Sequence, residues 1–357
     1  MRFIVSAGGT GGHIMPAISI SQELLSRGHE VLFIGNKDSM EEKIVTKKGI
    51  AFEPINVQKL YRKFTLRHIL FPFKLFCSIT KVKKIFKKYK PHVYIGCGGF
   101  VSGPSGFVAR GRKLPYFLQE QNSYPGLTTR ALEAEALKVF IGQQDAEKYL
   151  KNTHVHYSGN PINKSLVSSD RLADLREYDF DNQKKTIFLI GGSQGSQFLN
   201  QLISSALDDL LQKYNIIWQL GLKNLDHFKE AHNDKKGLFM FGFSYDIDAL
   251  YNIADIAICR AGAITIAELE AKKIPAILIP LPSAAENHQY KNAIEQSSKN
   301  IAITLVQNNL DCKSLIVEID KLSSEYDYYR NNFKSCVHLN AVDTIVDSIL
   351  ETINKEL

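Results

Sequence analysis

The chain has 357 residues, of which 44% are apolar and 23% charged, and a formal net charge of +7. That length exceeds what one hydrophobic core ordinarily serves, so two domains are expected, and the balance of apolar and charged residues excludes a disordered chain. Five scattered cysteines (Cys77, Cys97, Cys259, Cys312 and Cys336), with no Cys-x-x-Cys pair, argue for reduced thiols in a cytosol and against a disulfide frame or zinc site.

The N-terminus enters an apolar strand, Arg2 to Ala7, and reaches the glycine run Gly8-Gly-Thr-Gly-Gly-His13 at once. No signal-peptide core fits there, and no uninterrupted apolar stretch is long enough to span a bilayer. Pro16 to Arg27 reads as a helix with proline near its first turn and Gly28 as its stop. Glu30 to Gly35 reads as a second strand. From Pro54 to Gln119 there is no Asp or Glu, while Lys59, Arg62, Lys63, Arg67, Lys74, Lys81, Lys83, Lys84, Lys87, Lys88 and Lys90 crowd the first part. Apolar residues at 73, 76, 79, 82, 86 and 89 fall at helical spacing. Two readings stand for this helix. It packs on the core with a solvated basic face, or it docks on anionic lipid, where each lysine near the surface contributes about 1 kcal/mol. Nucleic acid is disfavoured because no recognition motif accompanies the charge.

Strands are then expected at Val93–Gly96, Pro115–Leu118, Lys138–Ile141 and His154–Tyr157. Gly159-Asn-Pro161 and the polar stretch from Lys164 to Lys185 read as the connection to a second half. That half opens with Lys185–Ile190 running into Gly191-Gly-Ser-Gln-Gly195, and has strands near Ile187, Ile216, Leu238, Ile256, Ile277 and Ile303. Alternating β and α implies parallel sheets with right-handed crossovers, whose ligands gather at the strands' carboxyl ends. A final amphipathic helix, Val342 to Leu357, fits either domain.

A strand, a glycine turn and a helix together offer unpaired N–H groups and a positive dipole end to an anion. Neither standard nucleotide fingerprint fits. A Gly-x-Gly-x-x-Gly run starting at Gly9 needs glycine where Ile14 stands, and no Gly-x4-Gly-Lys-Ser/Thr loop exists. Hydride transfer and P-loop chemistry are therefore disfavoured. The densest polar constellation lies between Cys259 and Asn292. There Glu268 follows Gly262 by about one and a half helical turns, placed to take ribose hydroxyls, and His288 and Gln289 can hydrogen-bond sugar hydroxyls.

Taken in order, Gly8–His13, Gly98-Gly-Phe-Val-Ser-Gly-Pro104, Glu120-Gln-Asn122, Gly159–Pro161, Gly191–Gly195 and Arg260-x-Gly-Ala-x-Thr-x-x-Glu268 resemble the MurG family of bacterial glycosyltransferases from Arg2 to about Asn292, and more loosely beyond. The resemblance implies an α/β, GT-B architecture of two Rossmann-like domains with parallel sheets facing an inter-domain cleft. Residues 1–162 then form an acceptor and membrane-associating domain, on which a helix at 342–357 can pack back, and residues 163–341 form a UDP-sugar donor domain. It implies an inverting hexosyltransferase moving GlcNAc from UDP-GlcNAc to the C4 hydroxyl of lipid I, giving lipid II for peptidoglycan. A peripheral place on the cytoplasmic face of the inner membrane follows, with other cell-wall enzymes as further partners. A UDP-GlcNAc 2-epimerase on the same fold and a non-catalytic nucleotide-sugar or lipid binding protein are the alternatives.

Carried over by position, Thr10, Gly11, Gly12 and Asn122 match donor contacts. Ser193 matches a serine near the diphosphate, and Ala263, Ile264, Thr265, Ile266, Ala267 and Glu268 match the segment cradling phosphate and ribose. Gln289 matches a reader of GlcNAc hydroxyls, and Ser244 falls where uracil is held. Two positions depart from the family: Asn163, with Lys164 next to it, and Gln197 stand where arginines are usual, so weaker donor binding is expected. His13 is the leading candidate for the base, ending a glycine loop with a side chain that can change charge near neutral pH. Glu120 is the second candidate, and Gln121 with Asn122 are expected to position the acceptor. No cofactor or divalent metal is expected to be required, because helix N-termini and loop amides neutralise the diphosphate.

Overall fold

The structure is a computed structural model and describes residues 1–58, 71–162, 178–192, 194–232, 235–244 and 247–356. It divides into two compact units, Met1–Ile162 with Val337–Leu357, and Asn163–Cys336.

The first unit alternates β1 (Arg2–Ser6), α1 (Gly11–Ser26), β2 (Glu30–Asn36), α2 (Met40–Lys47), β3 (Ala51–Ile55), α3 (Phe71–Tyr89), β4 (Val93–Gly96), α4 (Ser102–Gly111), β5 (Tyr116–Glu120), α5 (Leu127–Leu132), β6 (Lys138–Ile141) and β7 (Val155–Tyr157). Its strands pair in parallel in the order β3-β2-β1-β4-β5-β6-β7. Strands covered on both faces are apolar throughout, and Phe3, Ile4 and Val5 of β1 are fully buried. The sheet reverses direction between β1 and β4, and such a switch point leaves a crevice at the strands' carboxyl ends.

The second unit runs β8 (Lys185–Ile190), α6 (Gln197–Lys213), β9 (Tyr214–Gln219), α7 (Leu225–His232), β10 (Leu238–Phe241), α8 (Asp248–Ile253), β11 (Ile256–Cys259), α9 (Ala263–Lys272), β12 (Ala276–Leu278), α10 (His288–Ser298), β13 (Ala302–Thr304), α11 (Cys312–Ser324) and α12 (Tyr326–Asn331). Its parallel sheet has the order β10-β9-β8-β11-β12-β13, with the reversal between β8 and β11.

The last helix, α13 (Ala341–Glu356), packs on the first unit. Ile345, Val346, Ile349 and Ile353 form one buried stripe within the core that holds Ile14, Ala17 and Leu24 of α1. Full burial of such side chains stabilises by roughly 1.5–3 kcal/mol each. At the rim Arg27 pairs with Asp343 and Asp347, and Lys138 Nζ donates to Ser348 Oγ at 2.6 Å.

Two elements differ from the sequence reading. Helix α1 starts at Gly11, directly from the glycine loop, so Pro16 lies inside it. The cost is one missing N–H bond, to the Gly12 carbonyl, early in the helix. Strand β3 carries Glu53 and Pro54, which disguise it; it sits at the sheet's edge, where proline is tolerated. Helix α3 has two different halves. Val82, Ile85 and Phe86 are buried in the core, whereas Phe73 and Phe76 are each 67% exposed. Lys59, Arg62, Lys63 and Arg67 lie outside the described residues.

Candidate active site

In the first unit the loops after β1 and β4 meet at the switch point. Gly99 has φ +77°, and a β-carbon there would lie 2.0 Å from the Gly8 carbonyl oxygen, so the two loops touch backbone to backbone. Only glycine allows that approach. Thr10 caps α1 in an extended conformation, and the helix's own ladder begins with Ile14 N–H donating to the Thr10 carbonyl at 3.2 Å. The amides of Gly11 and Gly12 therefore have no acceptor within the helix. Thr10 Oγ1 lies 2.9 Å from His13 Nδ1. The other edge of the imidazole lies against Gly98, where a β-carbon would come within 2.7 Å of His13 Cδ2 and 3.5 Å of Gln121 Oε1. Thr10, His13 and Gly98 thus pack together, with the buried Gln121 behind Gly98.

Glu120 is differently employed. It is 2% exposed. Its Oε1 accepts from Asn122 N–H at 3.1 Å and Asn122 Nδ2 at 3.2 Å, and its Oε2 accepts from Gly126 N–H at 2.9 Å and Thr129 Oγ1 at 2.7 Å. A buried carboxylate with four donors is the organiser of the 120–129 loop, and its geometry speaks against a proton-accepting role. Gln121 is also buried. Its Nε2 donates to the Cys97 carbonyl at 2.8 Å and to Gln119 Oε1, so it braces the β4 loop from beneath. Its amide nitrogen is thereby committed to the protein itself.

In the second unit the loops after β8 and β11 occupy the equivalent place. Gly195, with φ +73°, has its Cα packed on the Leu220 carbonyl, where a β-carbon would lie 2.0 Å away. Ser196 caps α6, its Oγ accepting from Leu199 N–H at 3.4 Å, and Gln197 is exposed on the first turn. Gly262 caps α9 without a side-chain bond, and the ladder there begins with Ile266 N–H donating to the Gly262 carbonyl at 3.0 Å. The side chains of Ala263, Ile264, Ile266 and Ala267 are buried, so this segment can meet a ligand only through main-chain amides, Thr265 and Glu268. Tyr251, itself buried, donates its hydroxyl to Glu268 Oε2 at 2.7 Å and fixes the carboxylate's direction.

Arg260 is the residue whose role the sequence reading missed. Its half-buried guanidinium donates to Ser196 Oγ at 2.9 and 3.2 Å, the Ile279 carbonyl at 3.0 Å, the Pro280 carbonyl at 3.3 Å and Gln307 Oε1 at 2.8 Å. All those acceptors are neutral, and desolvation lowers its pKa. It carries charge straight into the switch point between β8 and β11. The one sequence signal for it is an arginine directly after the buried strand Ile256–Cys259.

Past β12, Glu286 and Asn287 both adopt left-handed backbone (φ 51° and 54°) before α10 begins, a costly pair for non-glycine residues. His288 Nδ1 donates to the Ala285 carbonyl at 2.6 Å. Gln289 Oε1 accepts from Leu281 N–H at 2.9 Å, which commits its oxygen to the loop. Ser244 is half-buried just past β10. Asn163, Lys164 and Ser193 lie outside the described residues. Two Asp-x-Asp runs occur. Asp179–Asp181 precedes β8, at the strand end away from the glycine loop, and Asp181 accepts from Gln183 N–H. Asp246–Asp248 falls partly outside the described residues.

Residues 3–141 match the glycosyltransferase family 28 N-terminal domain, and residues 186–348 match the C-terminal domain of the same family. The chain belongs to glycosyltransferase family 28. A relative from Flavobacterium psychrophilum, named a UDP-N-acetylglucosamine–N-acetylmuramyl-(pentapeptide) pyrophosphoryl-undecaprenol N-acetylglucosamine transferase, is 38% identical, with 99% of this chain and 98% of the relative covered. Among solved structures, MurG of Acinetobacter baumannii matches with a TM-score of 0.74 at 25% identity, covering 98% of this chain and 99% of that one. UDP-GlcNAc 2-epimerase from Neisseria meningitidis shares the fold (TM-score 0.68, 13% identity, 98% and 100% covered). The family's GT-B fold accounts for the paired parallel sheets, and its members' transferase chemistry frames the two glycine-lined switch points.

Proposed function

We propose that the chain is an inverting N-acetylglucosaminyltransferase that moves GlcNAc from UDP-GlcNAc to the C4 hydroxyl of lipid I, yielding lipid II. The observation that carries this reading is the end-to-end match, at 38% identity, to a relative bearing that transferase name. The second unit holds the donor. Opening amides of α6 and α9 face the diphosphate with the positive ends of their helices, Arg260 adds a full charge, and Glu268, steered by Tyr251, takes ribose hydroxyls. Gln289 Nε2 offers a donor, and His288 Nε2 an acceptor, to the GlcNAc hydroxyls. No divalent metal is needed in this arrangement, because main-chain amides and Arg260 neutralise the departing UDP.

The first unit presents the acceptor to His13. With Nδ1–H donating to Thr10 Oγ1, Nε2 carries the lone pair and accepts the proton of the attacking hydroxyl. The C4 oxygen bonds to the anomeric carbon as the bond to UDP breaks on the opposite face. Lipid I is membrane-anchored, and the exposed Phe73 and Phe76 beside Lys74, Lys81 and their neighbours suit a peripheral seat on an anionic cytoplasmic leaflet. No described helix is long and apolar enough to cross a membrane.

One assay tests these claims together. Purified protein given UDP-GlcNAc and a lipid I analogue should release UDP in step with disaccharide formation, equally with and without EDTA. UDP-GlcNAc turnover without acceptor would favour the epimerase reading instead. Phe73→Ser with Phe76→Ser should slow transfer to vesicle-borne acceptor about tenfold while sparing a short-chain soluble one. Equal slowing of both would remove the membrane role.

A further inference from the structure

Four buried polar residues of the first unit, Gln119, Gln121, Asn160 and His338, form one connected line, and its far end lies in the C-terminal segment. His338 sits in the short turn Val337–Asn340 just ahead of α13 and is 0% exposed. Its Nδ1 accepts the main-chain N–H of Asn160 at 2.8 Å, across 178 positions of sequence. A main-chain amide can only donate, so Nδ1 is unprotonated and the neutral ring holds its proton on Nε2. Asn160, also fully buried, passes the restraint on. Its Nδ2 donates to the Gln121 carbonyl at 3.0 Å, and its Oδ1 accepts from Gln119 Nε2 at 3.3 Å. Gln121 Nε2 then donates to the carbonyl of Cys97, and the next residue, Gly98, is the one on which the His13 ring rests.

The geometry leaves little slack. A β-carbon on Gly159 would lie 2.9 Å from His338 Nδ1, and one on Gly142 would lie 1.9 Å from Asn160 Oδ1. Docking of the C-terminal segment is already provided by the apolar stripe of α13. A buried polar line of this kind specifies a geometry more than it adds stability.

We propose that His338 is a positioning residue for the transfer reaction: its unprotonated Nδ1 anchors Asn160 and, through Gln121 and Cys97, sets the Gly98 loop that seats His13. The proposal rests on the transferase reading of the site. Its test compares three variants of the full-length chain, assayed with UDP-GlcNAc and the lipid I analogue. His338→Asn places an acceptor oxygen where Nδ1 lies. His338→Gln carries its amide one bond further out and leaves the Asn160 N–H unanswered. His338→Leu keeps the bulk without an acceptor.

Expected are a fall in kcat of between about tenfold and 100-fold for the Gln and Leu variants, a donor KM within about threefold of wild type, and recovery by the Asn variant. Should the Leu variant fail to fold, the Asn and Gln pair decides, since both are polar and near in size. Three variants as active as wild type, equal losses for Asn and Gln, or unfolding of all three would each overturn the proposal. Wild-type turnover in the same assay separates the two levels. Without it the transferase reading falls and takes this inference with it; with it, indifferent variants remove only the inference.

Discussion

Replacing His13 with alanine should lower kcat by between about 10² and 10⁴, with little change in donor KM, as expected of a base that acts on the acceptor hydroxyl and not on UDP. His13 stands in the first turn of α1, its Nδ1 is 2.9 Å from Thr10 Oγ1, and its opposite edge is against Gly98. The ring is therefore held at both sides, between Thr10 and the Gly98 backbone. The other candidate base, Glu120, has both oxygens engaged by Asn122, Gly126 and Thr129, so moving a proton onto it would break that loop's anchor. Initial rates across donor and acceptor concentrations separate the outcomes. A loss below about threefold for His13→Ala would take the base role away from it.

Replacing Arg260 with methionine should raise the donor KM by roughly 10- to 100-fold and lower the affinity for UDP alone in proportion. Arg260→Lys should recover only part of this. Five N–H bonds to Ser196, Ile279, Pro280 and Gln307 require a planar fork, which an ammonium cannot reproduce. The effect follows from where the charge is. Asn163 and Gln197 stand at positions where relatives of this type were expected to carry arginines, so Arg260 is left as the cation built into the β8–β11 switch point among the described residues. Isothermal titration of UDP at low and high salt measures it. An unchanged affinity in the methionine variant would mean that the guanidinium serves only to tie the loops together.

Much of the architecture was legible before any coordinates. Strands such as Val93–Gly96, Lys138–Ile141 and Lys185–Ile190 are continuous apolar runs ended by glycine or polar residues, and buried parallel strands have no other pattern to show. The glycine loops were legible for the same reason, since each directly follows such a run. Strand β3 was hidden by Glu53 and Pro54, which only an edge position accommodates. The stripe on α13 declared a buried face without saying which core receives it. Within the site, pattern suggested residues but not their obligations. Glu120 looks like an available carboxylate until its four donors are seen, and Gln289 like an open amide until Leu281 N–H claims its oxygen. His338 gives no sequence signal at all, because its partner is an N–H group 178 positions away.

We propose that main-chain amides at the β8 and β11 loops, with Arg260 behind them, hold the donor diphosphate without a metal. A crystal structure of the protein with UDP bound in the presence of EDTA tests it most directly. The diphosphate should lie on the opening turns of α6 and α9, with the ribose hydroxyls on Glu268. UDP bound away from those two helix ends, or bound only when a divalent cation is restored, would contradict it.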